Sequence, residues 1–417
     1  MFCITMSENH TNCFSQGGIW GSGAPNAGDC PRCSKRNSWD VIGELIGTFR
    51  NGVRAGSSSA DVMSWDWGWG DKLARNLIPL LPHDVRYLSV SEWDKPVHRG
   101  GVETKVQEYS MSVVGPGPRA QRNWQLAREH GLACMAKVPF NNTWEISAVP
   151  YIPVVQLVLE HCQNLTREEI SGVMASWTCG GYPSPNLAAT KAYYLDSPPS
   201  REEAALSAAR QRYGDAAAPM MVAAWQAFST AFLEFPYGVA IYEIPTQHGP
   251  ANPLRLRPTG YRAGMMLFPY DDYRRWAGQY PPAVVQSQFT KMAVLWREGL
   301  RLFQQGMEHV SARSTEAAQQ DLAIALTCYH HFKSVANQVE FYLLRDRAGE
   351  SPQVRARMRE IVQDEIQVAR QQFPVARKHS IIGYEASNHY YYRPLDLVEK
   401  LLNCQQILDD MDPRTPG

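Results

Sequence analysis

Four times in the first 150 residues, a short apolar run ends in an acidic residue beside aromatic or amide side chains, and a helix-like stretch follows. The runs are Phe2–Met6 before Ser7-Glu8-Asn9, Asp61–Ser64 before Trp65-Asp66-Trp67, Val85–Val90 before Ser91-Glu92-Trp93, and Leu132–Val138 before Asn141-Asn142-Thr143-Trp144-Glu145. A fifth run, Gly172–Ser176, ends in Trp177 and enters the turn Gly180-Gly181-Tyr182-Pro183. Between the runs lie candidate helices at Trp39–Arg54, Arg119–His130 and Val154–Cys162. In the first of them Val41, Leu45, Ile46, Phe49 and Val53 follow the spacing of a helix with one buried face. Strand–helix alternation of this kind implies a parallel sheet with right-handed crossovers, whose strands all end on one edge. Five strands are visible and a closed barrel needs eight. Residues 1–195 therefore read as α/β, the last five βα units of a (β/α)8 TIM-type barrel.

From about Ser200 the pattern turns helical. Arg201–Tyr213, Pro219–Leu233, Ala283–Gly306, Thr315–Arg347, Gln353–Phe373 and Leu395–Asp409 are expected helices. A Pro/Gly-rich stretch, Phe235–Pro282, separates them, with a short strand expected at Gly238–Tyr242. Residues 196–410 read as a mainly α-helical domain and residues 411–417 as a flexible tail.

The 41 basic and 41 acidic residues cancel, so there is no electrostatic footprint for nucleic acid or an anionic membrane. No apolar run reaches the ~18 residues of a membrane span. The first residues lack the charged start, long apolar stretch and small-residue cleavage site of a signal peptide. They read instead as a core strand with Glu8 already in a site position, which implies that an upstream part of the domain is missing or supplied by another chain. Strand edges left by an incomplete barrel invite pairing, so a homo-oligomer is an expected partner state.

Carboxylates and indoles gathered on one strand-end face suit a pocket that holds a sugar and breaks a glycosidic bond. Glu8 is the candidate general acid/base. Asp66, Glu92 and Glu145 are candidates for a second carboxylate or for orienting the sugar. Trp65, Trp67, Trp93, Trp144 and Trp177 would bury the apolar C–H faces of sugar rings. Asn9, Asn142, Tyr182 and His389 are further candidate sugar contacts, and Arg99 could pair with Glu92 through its guanidinium fork. Each has a plainer alternative: a helix cap, an Asx turn, a core indole, a structural ion pair, or, for His389 among its tyrosines, a satisfied interdomain contact. The turn Gly115-Pro116-Gly117-Pro118-Arg119 is a poor phosphate cradle, because its prolines remove two N–H donors. His10-x-x-Cys13 with Cys30-x-x-Cys33 has zinc-knuckle spacing. A structural zinc, a Cys13–Cys30 or Cys13–Cys33 disulfide, and free thiols are all open. Acid/base chemistry by carboxylates needs no cofactor.

The order of strand, Ser7-Glu8-Asn9, Cys30-Pro31-Arg32-Cys33, helix and Trp65-Asp66-Trp67 resembles the middle and end of the catalytic barrel in bacterial β-N-acetylhexosaminidase-like glycoside hydrolases. The nearest are the family 163 endo-β-N-acetylglucosaminidases, with a similar Cys-rich loop, and more remotely family 20. The family 20 resemblance implies that Glu8 stands where an Asp-Glu pair carries the acid/base, with Ser7 in place of the Asp that orients a substrate 2-acetamido group. It also aligns Trp177 with a tryptophan of the last barrel strand. The resemblance spans about residues 1–190. It implies a retaining hydrolase acting on a β-linked, N-acetylated or plain hexose. The competing expectation is a non-catalytic carbohydrate-binding protein on a degenerate or truncated barrel.

Overall fold

Short aliphatic runs such as Val85-Arg86-Tyr87-Leu88-Ser89-Val90 form strands, because β-branched and aromatic side chains fit a pleated, covered surface. In a computed structural model of the chain, they assemble into a mixed α/β structure with a mostly parallel sheet and a helical C-terminal region. The structure describes residues 1–6, 11–15, 27–175, 182–195, 197–238, 244–262, 269–349, 351–385 and 389–412. The strands are β1 (Phe2–Ile4), β2 (Val62–Trp65), β3 (Val85–Val90), β6 (Cys134–Val138) and β7 (Gly172–Ala175), standing in that order. The pairs β1–β2, β2–β3 and β3–β6 are parallel. All five sit where the apolar runs predict them, to within two residues at each end. The intervening helices are α1 (Ser38–Gly56), α2 (Asp71–Leu77), α3 (Pro118–Glu129) and α4 (Val155–Arg167). The sequence reading missed α2 and an antiparallel hairpin of β4 (Pro96–Arg99) and β5 (Val102–Lys105). The hairpin's alternation is exposed and charged on one side, so it lacks the apolar run that marks the others.

Two compact units share the chain, and they interleave. The first comprises Met1–Lys95, Gly115–Val138 and Asn164–Met174; the second comprises Pro96–Val114, Pro139–Gln163 and Ala175–Gly417. Register fixes the faces of the first unit's sheet. Trp65 pairs with Leu88, Leu88 with Met135 and Val90 with Lys137. Side chains alternate along a strand, so Trp65, Leu88, Val90 and Lys137 share one face. Ser64, Tyr87, Ser89 and Ala136 share the other.

The second unit is built on helices: α5 (Pro185–Thr190), α6 (Arg201–Tyr213), α7 (Ala218–Phe232), α8 (Tyr273–Trp276), α9 (Pro282–Met307), α10 (Thr315–Arg345), α11 (Pro352–Lys378) and α12 (Pro394–Asp410). A two-residue pair, β8 (Tyr384–Glu385) and β9 (His389–Tyr390), precedes α12. The long helices pack in series, α7 on α9, α9 on α10, α10 on α11 and α11 on α12. Phe228 stacks on Trp296 at 4.5 Å between ring centroids, and Trp296 meets Phe332 edge-on at 5.3 Å. Gly299 permits the α7–α9 approach, since a Cβ there would stand 2.4 Å from the Phe228 ring. The expected strand at Gly238–Tyr242 falls largely outside the described residues. Among the described residues, no helix is long and apolar enough to cross a membrane.

Candidate functional site at the carboxyl edge of the sheet

Asp66 follows β2 directly and is fully buried. Its Oδ2 accepts from Tyr87 Oη at 2.7 Å, Ser89 Oγ at 2.8 Å, Arg119 Nη1 at 2.9 Å and Asn123 Nδ2 at 3.4 Å. Arg119 and Asn123 belong to α3, so Asp66 fastens that helix to the sheet. Arg119 also donates to the Trp69 carbonyl at 2.7 Å. Burial alone would lower the Arg119 pKa, but Asp66 beside it holds the guanidinium above its ordinary range. Burial, then the Asp66 charge, pushes the Tyr87 hydroxyl well up. Oδ1 of Asp66 has no hydrogen-bond partner among the described residues.

The opposite face carries a different set. Lys137, the penultimate residue of β6, is fully buried on the face away from α3. Glu92, two residues beyond Val90, is likewise fully buried. The Ser91 N–H donates to the Lys137 carbonyl at 3.0 Å, which extends the β3–β6 ladder to the strand ends. Glu92 and Lys137 thus stand at adjoining carboxyl ends of neighbouring strands. Lys137 is the residue that sequence reasoning missed. A lysine inside Cys-Met-Ala-Lys-Val reads as a polar interruption of a strand, and only the register puts it beside Val90.

Three indoles adjoin these strand ends. Trp65 and Trp67 lie 5.1 Å apart between ring centroids, and Trp67 and Trp93 lie 5.2 Å apart. Trp65 is buried, whereas Trp67 and Trp93 are half-buried. The Arg119 guanidinium lies 4.6 Å from the Trp93 ring centroid. Trp93 Nε1–H has no acceptor among the described residues. Gly117 sets the height of this edge. Its N–H donates to the Ser91 carbonyl at 2.7 Å, and a Cβ on it would stand 2.0 Å from the Trp93 carbonyl oxygen. The Gly-Pro-Gly-Pro turn is thereby committed to close backbone packing.

Six further candidates lie in the second unit. Glu145 is fully buried and saturated. Its carboxylate accepts from Ser110 Oγ at 2.8 Å, Met111 N at 2.7 Å, Ser112 N at 3.1 Å, Thr143 Oγ1 at 2.6 Å and also Ser112 Oγ. Burial pushes its pKa up while these donors pull it down, and the net direction is upward. Glu145 thus ties the segment before α3 to the segment after β6. Asn142 donates to the Val149 carbonyl at 3.3 Å, and Trp144 is buried with its carbonyl accepting from Gln247 at 2.6 Å. Tyr182 Oη accepts from Gln320 at 2.8 Å. Arg99 donates to the His98 and Ser112 carbonyls at 2.9 and 3.3 Å. His389 lies in β9, with its side chain outside the described set. Glu8, Asn9, His10 and Trp177 lie outside the described residues.

Three of the four expected metal ligands converge. The sulfur atoms of Cys13, Cys30 and Cys33 all lie within 4.8 Å of one another. None of the three is in a disulfide. The Cys33 N–H points at Cys30 Sγ at 3.5 Å. The backbone N–H groups of Cys33 and Arg32 hold the Cys30 thiol down at about 7, while hydrogen bonding to Cys30 and Cys33 pushes Cys13 up to about 11. The cluster could hold a metal ion. No family model matches the chain, and no curated protein matches it.

Proposed function

We propose that the chain is a glycoside hydrolase acting on a β-linked hexose, N-acetylated or plain, with its site on the carboxyl edge of the sheet. The consecutive strand order supports placing these strands as the last five of a (β/α)8 barrel, where that edge carries the chemistry. The observation that carries the reading is the conjunction of half-buried Trp67 and Trp93 with fully buried Glu92 and Lys137 at the same strand ends. Indole faces bury the C–H face of a sugar ring, and the Trp93 N–H offers a donor to a hydroxyl. Glu92 serves as the ionised carboxylate that meets positive charge at the anomeric carbon. Glu8 serves as the acid that protonates the leaving oxygen. Asp66 and Glu145 serve as fasteners, because four donors converge on Oδ2 of Asp66 and five on the carboxylate of Glu145. A zinc ion at the thiols is structural in this scheme and takes no part in the chemistry.

The second reading, a non-catalytic carbohydrate-binding protein, is favoured by the structural use of those same two carboxylates. A panel of chromogenic β-glycosides decides between them. Turnover that falls by about 10²–10⁴-fold in Glu92→Gln and in Glu8→Gln, with sugar binding kept, fits the hydrolase. Full turnover in Glu92→Gln removes Glu92 from the reaction. Binding of oligosaccharides without cleavage of any substrate leaves the binding protein.

A further inference from the structure

We propose that Cys13, Cys30 and Cys33 form a tristhiolate site for zinc, and that this ion clamps the long β1–α1 connection to the carboxyl end of β1. The geometry suits the ion. Zinc–sulfur bonds of about 2.3 Å in a tetrahedron put sulfurs about 3.8 Å apart, and the three sulfurs here lie within 4.8 Å of one another without a disulfide. The Cys33 N–H aimed at Cys30 Sγ fits a thiolate, since an amide donor stabilises negative charge on sulfur. Arg32, Lys35 and Arg36 surround Cys33 in sequence, and their charge offsets the excess negative charge of three thiolates on one dication.

Among the described residues, the stretch just ahead of α1 has little burial to hold it. The 3-10 turns Ala27–Asp29 and Cys33–Lys35 bury none of their residues, so no apolar packing stabilises them. The connection's N-terminal end is tied to the strand. Thr11 Oγ1, Asn12 Nδ2 and Ser15 Oγ all donate to the Thr5 carbonyl, at 3.1, 2.8 and 3.3 Å. Thr5 Oγ1 in turn accepts from Trp69 Nε1 at 3.3 Å. Cys13 therefore hangs on the β1 end, and Cys30 and Cys33 sit just ahead of α1. An ion shared by the three closes the connection into a ring whose base is the strand end. The fourth coordination position is left to water or to a ligand outside the described residues. The clamp holds whether or not the chain cleaves glycosides.

The test uses the whole chain, purified under reducing conditions and dialysed with zinc. The expected result is one equivalent of zinc per chain, and a cobalt-substituted form with near-ultraviolet thiolate-to-cobalt charge transfer. Chelation should make three more thiols reactive to a thiol reagent, lower the melting temperature, and open new protease cuts between Thr5 and Asn37. Cys30→Ser and Cys33→Ser should each lose the equivalent of zinc. Should these variants fail to fold, the cobalt spectrum and thiol count of the natural chain decide. A dialysed chain that retains no zinc, or chelation that exposes no further thiols and no new cuts, overturns the proposal. A Cys13 disulfide to either partner in the freshly isolated protein overturns it as well.

Discussion

The α/β unit and the helical unit each bury an ion pair almost completely, but they reach it differently. In the first, Asp66 stands at a strand end and meets Arg119 of α3 at 2.9 Å. In the second, Lys400 of α12 meets Glu365 of α11 at 2.8 Å with both side chains fully buried. Glu365 also accepts from Ser334 at 2.8 Å and Asn337 at 2.9 Å, and Lys400 donates to the Asn252 carbonyl. Both pairs join two elements through a carboxylate that also accepts from neighbouring side chains. The comparison teaches that burial and strand-end position do not mark a reacting group. Asp66 has the position of a catalytic acid and the hydrogen bonding of Glu365.

The largest expected effect comes from cutting either pair on its cationic side. Lys400→Met leaves a buried carboxylate uncompensated and should cost about 3–5 kcal/mol, read as a fall in the urea midpoint. Arg119→Met should cost a similar amount, and it should also loosen Trp93 against α3. If Arg119→Met were nearly neutral, Asp66 would be held by Tyr87, Ser89 and Asn123 without a cation and the parallel with Glu365 would fail.

Two glycines sharpen the contrast next. Gly117→Ala forces the Trp93 and Glu92 carbonyls aside, and Gly299→Ala forces the Phe228 ring aside. Each should destabilise by about 1–3 kcal/mol, the usual cost of overpacking. Only Gly117→Ala should also weaken sugar binding, measured by calorimetry or by quenching of tryptophan fluorescence. Equal loss of binding in both variants would break the assignment of the site to the carboxyl edge.

A smaller, graded effect is expected with pH. Burial holds His331 down at about 3 and His248 at about 4, against about 6.5 for an unfolded histidine. His331 is satisfied as the neutral ring, with Nδ1–H on the Thr246 carbonyl and Nε2 accepting from Tyr392 Oη at 2.9 Å. Between about pH 6.5 and these folded values the unfolded chain binds more protons than the folded one, so stability falls as pH falls. The urea midpoint should drop from pH 7 to 5, less steeply in His331→Gln. A midpoint that rises on acidification in that range reverses the sign. The smallest effect is expected at the surface. Arg301→Ala breaks an exposed pair with Glu298, both about half exposed, and should leave the midpoint unchanged.

Much of this fold was legible because apolar periodicity reports burial directly. Val85–Val90 and Arg201–Tyr213 have the bounds their patterns predict, and α9, α10 and α12 differ by no more than two residues at any end. Position along the chain also gave Asp66 and Glu92 their places at strand ends. Their roles were not legible. Apart from Thr143, the donors to Glu145 come from Ser110–Ser112, more than thirty residues earlier, and those to Asp66 come from a neighbouring strand and a helix. Lys137 and Lys400 were passed over because a lysine in a strand or an amphipathic helix is ordinarily solvated, and no local signal tells a paired buried lysine from a surface one.

By itself, then, the order of residues determined where most strands and helices run, and it singled out His10-x-x-Cys13 with Cys30-x-x-Cys33 as a candidate metal or disulfide site. These are properties of neighbours in the chain, set by side-chain periodicity and backbone reach. Only the tertiary structure decided that the sulfurs of Cys13, Cys30 and Cys33 converge without a disulfide, that Asp66 faces α3 while Lys137 faces away from it, and which donors reach each carboxylate. Those outcomes depend on strand register and helix packing, which bring together groups that no local pattern relates.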